Sequence, residues 1–211
     1  KGQKPFRTSP GVVPPHLRAM RFRDRGDWSF REIPEDVDPL ELAIAHAHYD
    51  HIEADEDINC VFPLTRLHEL AIEDVIGECA PTHYSLMGYV PEVKPILQTA
   101  SKEIIPRLHK RGVDVAAVSG GCEFSHQSAA LIQREIEASG IPTVAVSVCR
   151  DITYQLQVPR AVALRFPLGN PFGASLDRPM QSRILRDALA LIHSVKTPGE
   201  IITLPYDWIK V

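Results

Sequence analysis

The chain has no apolar run approaching the roughly 18 residues that a membrane helix needs. It also lacks the charged head, apolar stretch and small-residue cleavage pattern of a secretory leader, so a cytoplasmic location is expected. Cysteine is scarce: four in 211 residues, Cys60, Cys79, Cys122 and Cys149. They are too few and too scattered for a disulfide framework and are expected to be reduced, so any that matters does so through its chemistry. There is no excess of positive charge, with 23 Lys and Arg against 27 Asp and Glu. The basic stretch "RAMRFRDR" (18–25) is interleaved with apolar residues and followed by acids, so nucleic acid is not an expected partner. Repeats and low-complexity tracts are missing too, which excludes a solenoid. The opening "KGQKPFRTSPGVV" has no methionine; it suggests an upstream segment that was cut, split onto another chain or left out, and hence an incomplete N-terminal edge.

With 44% hydrophobic and 24% charged residues, the chain can bury one sizeable core. The expectation is a single α/β domain over 1–211, with 1–39 as a proline-rich arm. Met20, Phe22, Trp28 and Phe30 in that arm read as packing or interface residues. "LELAIAH" (40–46) is a short strand-like run, "PLTRLHELAIEDVIGE" (63–78) has helical period behind a proline, and "HYSLMGY" (83–89) suits a strand. "EVKPILQTASKEIIPRLHKRG" (92–112) reads as a helix kinked at Pro95 or Pro106 and closed by Gly112.

The clearest unit follows. "VDVAAVSGG" (113–121) is a buried strand, "CEFSHQSAALIQREIEASG" (122–140) a turn and amphipathic helix, and "IPTVAVSVC" (141–149) the next buried strand. This is a βαβ unit with an expected right-handed crossover. A further strand at 160–167 and a helix at 181–195 complete the pattern. The fold class is α/β: a parallel sheet in a three-layer, Rossmann/flavodoxin-like arrangement with helices on both faces.

In such sheets reactive groups gather at the carboxyl ends of the strands. Cys122 falls there, after two glycines and near a helix start where unpaired N–H groups favour a thiolate. His126, one helical turn on, is placed to supply positive charge or a proton. The plainer reading of Cys122 is a small buried residue.

The segment "HAHYDH" (46–51) has the HxHxDH spacing of dinuclear zinc hydrolases. That fold needs a β-rich sandwich and later histidines on loops. Here His68, His109 and His193 fall in predicted helices, leaving His83 and His126, and the βαβ pattern speaks against the sandwich. A mononuclear divalent metal held by His46, His48, Asp50 or His51 stays open, with Glu53, Asp55 and Asp57 nearby; so does an acidic surface loop with hydrogen-bonded histidines. The preferred reading makes His46, His48, Tyr49 and Asp50 a wall opposite Cys122 that binds substrate or passes protons. Arg165, at a strand end before "PLGNP" (167–171), suits either an anionic substrate group or a surface ion pair.

The blocks "DVAAVSGGCEFSHQSAALIQREIEASGIPTVAVSVCRDI", "RFPLGNPFG", "GDWSFREIP" and "HYDHIEADEDINCVFPLTRLHEL" resemble the selenoprotein B family of the glycine, sarcosine, betaine and D-proline reductases, most of all its D-proline reductase branch. The resemblance implies redox chemistry at one chalcogen. In that family a selenocysteine attacks the substrate carbon while a pyruvoyl group on a partner subunit holds the substrate amine as a Schiff base; a thiol then resolves the selenoether. Cys122 matches the selenocysteine. Two departures stand out. Sulfur replaces selenium, so local activation matters more, and Ser125 stands where that branch has a resolving cysteine. Cys149, Cys60 or an external thiol reductant would then do the resolving. The resemblance implies a small-molecule substrate, a partner subunit and an oligomer. Two other classes remain: a racemase-like enzyme using Cys122 and Cys149 as opposed acid/base thiols, and a metal-binding or interaction subunit.

Overall fold

The computed structural model describes residues 12–13, 27–44 and 49–208. Its centre is a four-stranded parallel sheet of β5 (Ala116–Ser119), β6 (Thr143–Ser147), β7 (Arg160–Ala163) and β8 (Glu200–Thr203), in that order. β6 is buried along its whole length, as expected of a short Val-rich strand covered on both faces.

The covering helices are α5 (Glu123–Ala138) and α7 (Arg178–Ser194). Val144, Val146 and Val162 pack with Ile184, Leu185 and Ala188 of α7. The alternating residues Ala145 and Ala161 pack with Ala130 of α5. Successive strand residues point to opposite faces, so the two helices lie on opposite sides. Both nevertheless step the same way across the sheet, from β5 to β6 and from β7 to β8. Their crossovers therefore have opposite hands, and one departs from the right-handed rule. A short helix, α6 (Arg150–Gln155), links β6 to β7.

The front half is antiparallel, which corrects the expected continuation of the parallel sheet. β1 (Val12–Val13) pairs with β3 (Ala43–Ile44), a shorter element than the strand expected over 40–46. β2 (Phe30–Pro34), inside the segment expected as a proline-rich arm, pairs with β4 (Thr82–Leu86) from Phe30↔Leu86 to Pro34↔Thr82. The ribbon is held by cross-strand packing: Phe30 and Tyr84 have ring centroids 5.8 Å apart, and the Arg107 guanidinium lies 5.1 Å from the Phe30 ring centre. Between this ribbon and the open edge of β5 runs a groove of about 1080 Å³.

Helix α1 (Ile52–Glu56) follows the Tyr49–His51 segment and α2 (Leu64–Ile72) precedes β4. The helix expected over 92–112 is α3 (Val93–Thr99), a π-helical segment Ala100–Ile104, and α4 (Ile105–Lys110). Pro95 sits in the first turn of α3, where its missing N–H costs little. Pro106 cannot donate to the carbonyl four residues back, and the helix widens just before it.

Candidate active site

Three segments converge at the carboxyl end of β5. The first is the Gly120-Gly121-Cys122 turn. Cys122 is the N-cap of α5: its Sγ accepts the Ser125 N–H at 3.3 Å, while Ser125 Oγ accepts the Cys122 N–H at 2.7 Å. This is a capping box in which sulfur takes the place of the usual oxygen. Ser125 thus closes the first turn of the helix. Cys122 is 2% exposed, and its sulfur meets the positive end of a 16-residue helix dipole.

The second segment is Tyr49. A methyl group on Gly121 would lie 2.5 Å from Cε1 of the Tyr49 ring, and one on Gly169 would lie 2.7 Å from its Cδ2. The ring is clasped between these glycines, and only residues without a Cβ allow that approach. Burial, and next the neighbouring Cys122, push the Tyr49 hydroxyl well above the ordinary phenol range, so it is a proton-bearing neighbour of the thiol. The third segment is the "PLGNP" turn, where the Gly169 N–H donates to the Gly121 carbonyl at 2.7 Å.

His126 is placed differently from the expectation. It is 3% exposed; Nδ1 lies 2.8 Å from the Cys122 carbonyl and Nε2 accepts the Val148 N–H at 3.1 Å. Acceptance at Nε2 puts the ring proton on Nδ1, and burial moves the imidazole pKa down. A neutral ring committed to two backbone groups cannot lend positive charge to the thiol. It ties the turn after β5 to the turn after β6 instead.

That second turn carries Cys149, the N-cap of α6, whose N–H donates to Ser147 Oγ at 3.0 Å. Burial, then Glu123, then Cys122 push its thiol up to about 11, which makes the two sulfurs electrostatic neighbours. Cys60, the other candidate resolving thiol, has 0% exposure and donates weakly to the Glu53 carbonyl at 3.8 Å. Burial pushes its thiol far up, so it is a packing residue rather than an exchanger.

Several acids of the 50–57 segment are tied into the fold by hydrogen bonds. Glu53 accepts the Ser175 N–H at 3.0 Å, and Asp57 accepts Gln181 Nε2 at 2.7 Å and the Leu176 N–H at 3.0 Å. Burial alone would raise the Asp57 carboxyl, but the hydrogen bonds from Gln181 and Asn59 outweigh it and hold the pKa down. These acids staple the 174–181 loop to α1. Asp50 accepts the Ile52 N–H at 3.1 Å, and His51 Nδ1 lies 2.7 Å from Asp55, so both have local partners. The expectations for His46 and His48 lie outside the described residues. Arg165 is exposed beyond the end of β7 and has no ion-pair partner among the described residues, which leaves its guanidinium open to an anion.

Sequence reasoning missed an aromatic pair on the first turn of α5: Phe124, 45% exposed, meets Tyr89 edge-on at 5.1 Å. Phe124, two residues after Cys122 on the helix, was the available signal. Tyr49, Gly120, Gly121 and Ser125 line the head of the groove beside β5.

The family model for the glycine/sarcosine/betaine reductase selenoprotein B matches residues 6–120, more than half of the chain, and stops just short of Cys122. The chain is 35% identical over 203 residues to the D-proline reductase subunit gamma of Acetoanaerobium sticklandii, covering 96% of this chain and 83% of that one. It is 27% identical to the glycine reductase complex component B subunit gamma of Peptoclostridium acidaminophilum and 28% identical to that of Symbiobacterium thermophilum. Those two alignments cover 89% and 86% of this chain but only 44% of each relative, so the chain spans less than half of their length. No solved structure matches. Among the described residues no helix is long and apolar enough to cross a membrane. On the family match and the near full-length alignment, this chain belongs to the glycine/sarcosine/betaine reductase selenoprotein B family.

Proposed function

We propose that this chain is the thiol-bearing subunit of a reductase complex of the D-proline reductase type, and that Cys122 performs the reductive cleavage of a small amine. The observation that carries the reading is the Cys122 capping box. The sulfur sits at the carboxyl end of a parallel strand, accepts a backbone N–H and faces the N-terminus of a long helix, an arrangement that suits a thiolate. The family membership and the D-proline reductase relative supply the reaction class. We read the sheet with its two helical faces as the three-layer, Rossmann/flavodoxin-like scaffold that presents such groups at strand ends.

In this reading the Cys122 thiolate attacks the substrate carbon bearing nitrogen. A C–S bond forms, the C–N bond breaks, and its electron pair leaves with nitrogen. A second thiol then attacks the Cys122 sulfur; the carbon departs with the C–S pair and takes a proton, and a disulfide remains for an external thiol to reduce. In this chain Cys149 serves as the resolving thiol, being the sulfur that neighbours Cys122. Tyr49 holds a proton beside the site. Arg165 meets the substrate carboxylate. Because Cys122 is 2% exposed, substrate reaches its sulfur by displacing a covering side chain, and Tyr49 is the one clasped over the turn. A pyruvoyl group on a partner subunit would hold the amine end of the substrate; this chain supplies the thiol.

The test is reconstitution with the pyruvoyl subunit of a D-proline reductase, dithiothreitol and D-proline. Ring opening that is lost in Cys122→Ser supports the reading; undiminished turnover in that variant ends it. A second reading, a two-thiol racemase, rests on the same closeness of Cys149 to Cys122. It requires solvent deuterium to enter the substrate α-carbon without any reductant, and it fails if Cys149→Ser leaves that exchange unchanged.

A further inference from the structure

A group of metal-ligating side chains lies outside the thiol site. Glu35 follows β2, His68 sits in α2, and Cys79 leads into β4. One carboxylate oxygen, one imidazole nitrogen and the thiol of these residues all lie within 4.8 Å of one another, and each residue is half-buried.

Three further observations point the same way. His68 Nε2 lies 2.8 Å from the Glu35 backbone carbonyl. An Nε2–H donated there leaves Nδ1 unprotonated, and that outer hydrogen bond is the one that orients metal-binding histidines. The Glu35 N–H donates to the Pro81 carbonyl at 3.3 Å, which fixes the Glu35 and Cys79 segments side by side. His83 neighbours His68, and its Nε2 is buried with no hydrogen-bond partner among the described residues, which makes it the candidate for a fourth donor.

We propose that Glu35, His68 and Cys79 bind a zinc ion, with His83 or water as fourth ligand, and that this ion clamps the β2/β4 ribbon to α2. One sulfur, one or two nitrogens and one carboxylate oxygen in a small, partly enclosed volume suit a tetrahedral, borderline-soft cation, whereas magnesium and calcium take oxygen shells. The three ligands come from three chain segments that meet only in the folded state, so the metal would be linked to folding. The clamp sits at the entry to β4. Beyond the other end of β4, Gly88 packs on Ser125 and accepts the Ser128 hydroxyl at 2.6 Å. Fixing the ribbon at one end therefore steadies the element that touches the Cys122 helix at the other.

The test uses the full chain, stripped with a chelator and titrated with cobalt(II). Binding of one cobalt per chain with a thiolate-to-cobalt charge-transfer band that zinc abolishes is expected. Cys79→Ser should remove the band, while Cys149→Ser and the double variant His46→Ala/His48→Ala should keep it. No band on the unaltered chain, or a band indifferent to Cys79→Ser, overturns the proposal. Should Cys79→Ser fail to fold, alkylation of the unaltered chain decides: zinc should slow labelling of Cys79 by at least about tenfold, and an unchanged rate overturns the site.

Discussion

The two strand-to-helix turns at the head of the sheet occupy equivalent places, one after β5 and one after β6, and each begins its helix with a cysteine. At Cys122 the sulfur accepts a backbone N–H and caps a 16-residue helix. At Cys149 no side chain caps the six-residue helix, and the thiol is pushed up to about 11 by burial, Glu123 and Cys122. Equivalent topology therefore does not give the two sulfurs equivalent surroundings. One sulfur has a capping partner in the third helical position and the N-terminus of a full-length helix, while burial and an acidic neighbour keep the proton on the other. The proposed cleavage calls for such a difference, with one sulfur attacking and a second, proton-bearing thiol beside it.

The strongest way to break the comparison is Cys122→Ser, which should lower reconstituted turnover by about 10³-fold or more, with Cys149→Ser losing less when dithiothreitol is abundant. Next is the pH profile of alkylation. A thiol whose pKa is raised to about 11 is thiolate in roughly one molecule in a thousand at pH 8. Labelling of Cys149 should thus rise about tenfold per pH unit up to that value and then level off, as mapped by mass spectrometry; a plateau already at pH 9 would show that the two turns do not differ as described.

His126→Ala sharpens the comparison by uncoupling the turns. It leaves the Val148 N–H without its acceptor and should cost about 2–3 kcal/mol in denaturant unfolding. Gly121→Ala drives a methyl group into the Tyr49 ring at 2.5 Å; we expect a loss of about 1–2 kcal/mol and faster alkylation of Cys122 as the ring is displaced. Ser125→Ala removes the reciprocal half of the capping box and should cost about 1 kcal/mol of stability, read by thermal unfolding.

The back half was largely legible in the sequence because its contacts are local in pattern. Two apolar strands around an amphipathic helix predict β5, α5 and β6 to within a few residues, and Gly-Gly-Cys marks the turn. β8 and α6 escaped, since a four-residue strand and a six-residue helix give too few periods to detect. The front half was harder to read. Whether Phe30–Pro34 is arm or strand depends on Thr82–Leu86, some fifty residues away, and nothing within either segment announces the other.

The candidate site divides in the same way. Sequence by itself determined where Cys122 sits, because a thiol after two glycines at a strand end needs only local chain geometry to meet a helix N-terminus. Only tertiary structure decided what the neighbours do. His126 became a neutral tether through an N–H 22 residues away, Cys60 a packing residue, the acidic loop a staple, and Tyr49 a ring clasped between Gly121 and Gly169. Each of those roles is set by partners distant in the chain, and a hydrogen bond or a close approach between distant segments leaves no period in the sequence that would reveal it.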